Sequence, residues 1–216
     1  MAGAVNGDPR WSPDGTRIAF SSMRKQQSDL YGLAMETGIL HQITTASSDD
    51  WVPRWSRDGR WLYFTSNRSG SWQIWKVPAE GGEAIQMTQQ GGRAACESTD
   101  GRFLYVARSD TAGLWRMPAE GGAATLIFGQ LHASDWGSWA VVEDGLYFID
   151  RRAPHTGISF FHFDPGAVTL KAALPPASTR NITRGIPSLT VSPDRKQFVF
   201  AQFDRRERDI MMVEGF

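Results

Sequence analysis

Pro53-Arg54-Trp55-Ser56-Arg57-Asp58-Gly59-Arg60-Trp61-Leu62-Tyr63-Phe64 is a stretch the chain writes more than once. It stands earlier as Pro9-Arg10-Trp11-Ser12-Pro13-Asp14-Gly15-Thr16-Arg17-Ile18-Ala19-Phe20. Looser copies follow at Glu97 to Tyr105, Val142 to Phe148 and Val191 to Phe200. The aspartate recurs at 14, 58, 100, 144 and 194, so the spacings are 44, 42, 44 and 50 residues. Self-similarity with a period of about 40 to 50 residues marks a repeat architecture, and this range suits four-stranded propeller blades.

Each copy has a physical reading. Ser-Pro-Asp-Gly is a tight turn, in which Pro presets φ and Gly accepts the positive φ of the bend. Apolar residues flank it, so two antiparallel strands meet there. A third strand recurs as Leu30 to Leu33, Ile74 to Val77, Leu114 to Met117, Phe160 to Phe163 and Ile210 to Val213. Gly-containing turns follow it, such as Pro78-Ala79-Glu80-Gly81-Gly82, and a fourth strand such as Gln86-Met87-Thr88 ends the unit. The expected fold is all-β: a β-propeller of about five four-stranded blades, whole or part of a larger ring. The repeats fall at about 8–45, 49–88, 91–128, 134–174 and 186–216, in one domain over 1–216.

Bulk properties narrow the function. The chain has 216 residues, with 23 Lys plus Arg against 23 Asp plus Glu. A net charge of zero gives no reason to expect a nucleic acid or a membrane surface as partner. Nine Trp and twelve Phe suit the broad faces between packed sheets. Cys96 is the single cysteine, so no internal disulfide forms, and on an inner strand it reads as a small buried hydrophobe. No apolar run approaches the roughly 18 residues of a membrane span.

The ends carry a further expectation. The last repeat stops after its third strand, at Glu214-Gly215-Phe216. Unpaired strand edges are avoided in natural proteins. Either Ala2 to Val5 pairs with Ile210 to Val213, or the first and last blades face a gap. The short, weakly apolar Ala2 to Val5 favours the gap.

The Trp-Ser-Pro-Asp-Gly turn, Phe64-Thr65-Ser66-Asn67-Arg68 and the Glu-Gly-Gly turns resemble the WD40-like repeats of TolB-type β-propellers. The C-terminal stretch Asp209 to Phe216 is similar to the end of bacterial winged-helix transcriptional regulators of the CadC type. That likeness implies a sensor or scaffold portion of a longer bacterial protein, periplasmic if a membrane helix precedes it and cytoplasmic otherwise.

The sequence holds no Gly-x-Ser-x-Gly nucleophile elbow and no phosphate-binding loop. His41, His132, His155 and His162 are scattered without metal-ligand spacing. No catalytic residue, cofactor or metal is therefore expected. An aspartate required in every repeat is architectural. The Asn181-Ile182-Thr183 sequon is a common chance match.

What remains is a surface. The loops from second to third strand are basic in every repeat: Arg24 and Lys25, Arg68, Arg108, Arg151 and Arg152, then Arg205, Arg206 and Arg208. The connections between blades carry Asp49, Asp50, Trp51, His132, Asp135 and Trp136. The candidate binding residues are Arg24, Arg68, Arg152, Asp50, Trp51, Asp135 and Trp136, with a protein or peptide as partner. The competing expectation pairs each arginine with an acid of the neighbouring blade and packs Trp51 and Trp136 between blades. At the level of function, the expectation is a non-catalytic binding propeller. The alternative is the gating propeller of a serine peptidase whose catalytic domain is absent.

Overall fold

A computed structural model describes residues 5–152, 156–174, 184, 187–204 and 207–214, with the backbone alone beyond residue 201. It is all-β, with a single 3₁₀ turn at Ala133–Asp135 among the described residues. Five antiparallel sheets follow one another along the chain. The first holds β1 (Val5–Trp11), β2 (Arg17–Arg24), β3 (Gln27–Ala34) and β4 (Leu40–Gln42), in that spatial order. The second holds β5 (Asp50–Trp55), β6 (Trp61–Ser66), β7 (Gln73–Pro78) and β8 (Ile85–Gln86). The third holds β9 (Ala94–Glu97), β10 (Phe103–Ala107), β11 (Leu114–Pro118) and β12 (Thr125–Phe128). The fourth holds β13 (Trp139–Val142), β14 (Gly145–Asp150), β15 (Gly157–His162) and β16 (Val168–Ala173). The fifth has three described strands, β17 (Leu189–Val191), β18 (Gln197–Asp204) and β19 (Glu207–Glu214).

The expected sheets are thus present, one to each repeat, with the fourth strand of the second sheet at Ile85–Gln86 and not reaching Met87 and Thr88. The alternative to the expected gap, a clasp by Ala2 to Val5, involves residues 2–4 and lies outside the described residues, as do the loop at 175–183 with its sequon, Arg205 and Arg206. The chain divides into two compact units, one holding the first three sheets and one holding the last two.

Within the first unit, apolar side chains fill the spaces between consecutive sheets. Ala19, Leu30, Ile43, Leu62, Phe64 and Val77 form one cluster. Tyr63, Ile74, Met87, Leu104, Val106 and Met117 belong to the next. In the second unit Tyr147, Ile149, Ile158, Phe160, Leu189, Phe198 and Phe200 do the same. A strand buried on both faces explains the near-continuous apolar runs, such as Leu62-Tyr63-Phe64.

The repeated turn shows why its residues recur. Ser12, Ser56, Ser98 and Ser192 donate from Oγ to Oδ1 of Asp14, Asp58, Asp100 and Asp194, at 2.5, 2.6, 2.6 and 2.6 Å. Each aspartate Oδ1 also accepts the backbone N–H two residues on, from Thr16, Arg60, Arg102 and Lys196. Each serine Oγ accepts the N–H five residues on, from Arg17, Trp61, Phe103 and Gln197. The side chains thereby saturate the turn's backbone donors. The next position lies at positive φ: Gly15 and Gly59 at 70°, Gly101 at 71° and Arg195 at 61°. The backbone shape therefore outlasts the glycine in the fifth sheet. The fourth sheet departs as its sequence implies. Val142 pairs with Gly145 across a two-residue turn, and Asp144 accepts from Arg195 Nη1 at 2.7 Å.

Candidate binding site

Arg24, Arg68, Arg108, Arg151 and Arg152 stand at or beside the turns between second and third strands, and each has a local partner. Arg24 stacks over Tyr31, Arg68 over Trp75 and Arg108 over Trp115, with guanidinium carbons 4.2, 5.0 and 4.2 Å from the ring centroids. Each aromatic stands seven residues after its arginine, on the third strand of the same sheet. The arginines also fold back along their own strand. Arg24 Nε donates to Ser22 Oγ at 3.3 Å, and Arg68 Nε to Ser66 Oγ at 3.0 Å.

Acids complete these braces. Arg68 Nη2 donates to Asp50 Oδ2 at 2.8 Å, and Asp50 is wholly buried. Arg151 engages both oxygens of Asp135 from Nε, at 3.1 and 2.9 Å, and Nη2 adds a further bond at 2.9 Å. Arg152 Nε donates to Asp150 Oδ1 at 2.7 Å, and Nη1 to Gln130 Oε1. The backbone N–H of Arg152 and the guanidinium together hold the Asp150 carboxyl below the usual carboxylate range, against the pull of burial.

Three expectations are corrected here. The pairs do not join neighbouring blades; Asp50 and Arg68 belong to one sheet, because the β5–β6 register sets Asp50 opposite Ser66. Asp50 and Asp135 are not surface acids; they are the buried acceptors of Arg68 and Arg151. Trp136 is core, 4 % exposed, closing the 3₁₀ turn and accepting from Trp139 Nε1 through its carbonyl. Trp51 is half-buried on β5. Other groups link the first and second sheets: Asp49 Oδ1 accepts the Ser28 N–H at 3.1 Å, Arg17 pairs with Glu80, and Trp55 Nε1 donates to the Arg10 carbonyl.

In the second unit these groups border an open recess of about 290 Å³. Gln130, His132, Asp135, Asp150, Arg151 and Arg152 line it. The Arg152 side chain keeps 48 % of its exposure there, so its guanidinium presents a charged face to solvent.

A second charged group was not singled out from the sequence. Asp8, Arg10, Arg54, Arg93 and Cys96 are half-buried on or beside the edge strands of the first three sheets. Burial raises the Asp8 carboxyl, while Arg10, Arg54 and Arg93 pull it down. Burial and the charge of Arg54 push Arg10 down to about 9, so it stays protonated at neutral pH. Burial likewise lowers Arg54 and Arg93, and Asp8 opposes both shifts. The signal was present in the sequence, as Arg10 and Arg54 hold the same place in two repeats. Cys96 holds that place in the third repeat, and it is half-buried, not enclosed. Among the described residues no group of His, Cys, Asp and Glu is placed to hold a metal ion. None of the described helical segments is long and apolar enough to cross a membrane.

The sheets and their repeated turns define a β-propeller. A family model described as the TolB β-propeller domain matches residues 2–127, and the chain belongs to that family. The chain is similar to TolB from Acinetobacter baumannii, with a TM-score of 0.77 and 17 % identity, over 97 % of this chain and 52 % of that one. It therefore spans about half the length of that protein. A TolB candidate from Agrobacterium tumefaciens gives 0.66 and 18 %, over 97 % and 77 %. A puromycin-hydrolyzing peptidase from Mycobacterium tuberculosis gives 0.60 and 16 %, over 91 % of this chain and 34 % of its own. No curated protein matches the sequence.

Proposed function

We propose that the chain is a non-catalytic propeller domain that binds a protein or peptide with acidic side chains, at the loop-bearing end of its sheets. The observation that carries this reading is the recess of the second unit, where Arg152 stays 48 % exposed while Asp150 and Gln130 fix its orientation. A guanidinium held in place loses little freedom on meeting a carboxylate, which it engages through parallel hydrogen bonds. Asp135 and Trp136 stiffen the loops of the second unit, and Arg24, Arg68, Asp50 and Trp51 stiffen those of the first. In this reading the domain is the sensor or scaffold portion of a bacterial signalling or transcriptional regulatory protein. The partner is not nucleic acid, since positive and negative charge are balanced at 23 each.

Panning a random-peptide library on the wild-type domain and on Arg152→Glu tests the reading. Acidic peptides enriched on the wild type and lost on the variant support it; charge-neutral or basic enrichment counts against it. Similarity to peptidase propellers favours a second reading, the gating propeller of a serine peptidase. Coding sequence on either side decides between them: a winged helix upstream supports the first, and a hydrolase domain with Gly-x-Ser-x-Gly downstream supports the second.

A further inference from the structure

The edge strands β1, β5 and β9 lie side by side in the first unit. β1 and β5 carry matching irregularities. The β1–β2 register shifts between Gly7 and Arg10, and the β5–β6 register between Trp51 and Arg54. The bulged residues, Asp8 and Val52, take φ of 54° and 57°. Asp tolerates that region, but a β-branched residue there is an outlier. Val52 is 4 % exposed and held in place by its surroundings. Bulges re-aim the residues beside them, and strained backbone collects at functional sites. Here the residues re-aimed are Arg10 and Arg54.

Arg93 stands just before β9, its guanidinium carbon 4.3 Å from the Trp72 centroid. Arg10 and Arg54 repel one another, and the Asp8 carboxylate attracts both as well as Arg93. Arg10 Nη1 donates to the adjacent Pro9 carbonyl at 3.2 Å, and its Nε is buried without a hydrogen-bond partner. An architectural arginine in this chain looks different: Arg68 and Arg151 each hold a buried aspartate. Keeping surplus like charge together is unfavourable unless an anion occupies the place part of the time.

We propose that Arg10, Arg54 and Arg93 form a binding site for a carboxylate group, supplied by an acidic side chain or chain end of a peptide. The site rests on the reading of this domain as a peptide-binding propeller, but it is built from residues of the first unit, whereas the recess around Arg152 belongs to the second. It gives that reading a second anchor, at the edge where the first strands converge.

The test measures thermal melting with sodium succinate, sodium phosphate or sodium chloride at matched ionic strength. Succinate raises the wild-type melting temperature above chloride. Arg54→Gln melts no lower than wild type without ligand, because it removes a repelling charge. Its affinity for succinate falls by about tenfold or more, the loss of one charge-assisted hydrogen bond. Arg60→Gln, at an exposed turn position, leaves the response intact. Equal melting in succinate and chloride overturns the proposal, as does a full response in Arg54→Gln. Stabilisation by phosphate without any by succinate overturns the carboxylate assignment.

Cys96 supplies a second readout should either variant fold poorly. Iodoacetate and iodoacetamide transfer similar groups to a thiol with loss of iodide, and differ by one carboxylate. The ratio of their rates at Cys96 in wild type exceeds that of a free cysteine, and added succinate lowers it by about threefold or more. An unchanged ratio contradicts the site. A succinate response in a domain that ignores acidic peptides at its recess would sink the proposed function and leave the site standing.

Discussion

Arg68 reaches back across its sheet to Asp50, 2.8 Å from Nη2 to Oδ2, and Asp50 has no exposed surface. Its other flank lies on Trp75. Removing the cation leaves a buried carboxylate with only Ser48 to serve it. Arg68→Gln should therefore cost about 3 kcal/mol in denaturant unfolding. Arg152→Gln, with its side chain 48 % exposed, should cost about 1 kcal/mol or less. Equal costs would mean that the two pairs are not the different things described here.

The turn aspartates predict an acid transition. Hydrogen bonds from Ser12, Ser56 and Ser98, then from backbone N–H groups, hold Asp14, Asp58 and Asp100 at about 2, below the ordinary 3.8. Asp194 is lowered by the same contacts. A carboxyl depressed in the folded state contributes stability above its unfolded pKa and loses it as pH falls through the folded value. The domain should thus lose stability between about pH 4 and pH 2. Asp58→Asn should flatten that slope in a pH series of melting curves; an unchanged slope would place the titration elsewhere.

Gly59 and Arg195 occupy the same turn position at φ of 70° and 61°. A Cβ at Gly59 meets nothing closer than 3.6 Å, so the cost of Gly59→Ala is conformational, about 1–2 kcal/mol. Arg195→Gly relieves φ but forfeits the exposed bond to Asp144. Its net effect should lie within about 1 kcal/mol of zero. Equilibrium unfolding of the two variants checks both numbers.

Trp11 and Trp55 stand at equivalent positions with unequal surroundings. Trp11 is 58 % exposed. Trp55 is half-buried, donates to the Arg10 carbonyl at 3.0 Å and lies under the Arg17 guanidinium at 4.8 Å. Trp55→Ala should cost about 2–3 kcal/mol and Trp11→Ala under about 1 kcal/mol. The reverse order in melting would contradict this packing.

The fold was legible because the turn chemistry is local. Ser and Asp bind the turn's backbone within six residues, so their recurrence marks every sheet but the fourth, where a two-residue turn replaces them. The site was less legible because charge pairing depends on register. The sequence set Asp50 near Arg68, but only the β5–β6 pairing shows them sharing a sheet. Trp136 follows a short 3₁₀ turn that sends it inward, and nothing in its neighbours announces that turn. The Arg-to-aromatic spacing of seven was readable at 24, 68 and 108 and explains three of the basic loops. The cluster around Arg10 and Arg54 escaped notice because it needs two bulges to form.

The most direct measurement is a calorimetric titration of the domain with a glutamate-rich peptide and a lysine-rich peptide of equal length, at low and high salt. The account predicts saturable binding of the acidic peptide alone, weakened by salt because charges beyond roughly 10 Å are screened near 0.1 M. Arg152→Glu should weaken it by about tenfold or more while leaving the fold intact by circular dichroism. Binding that ignores peptide charge and salt, or none from either peptide, would contradict the account.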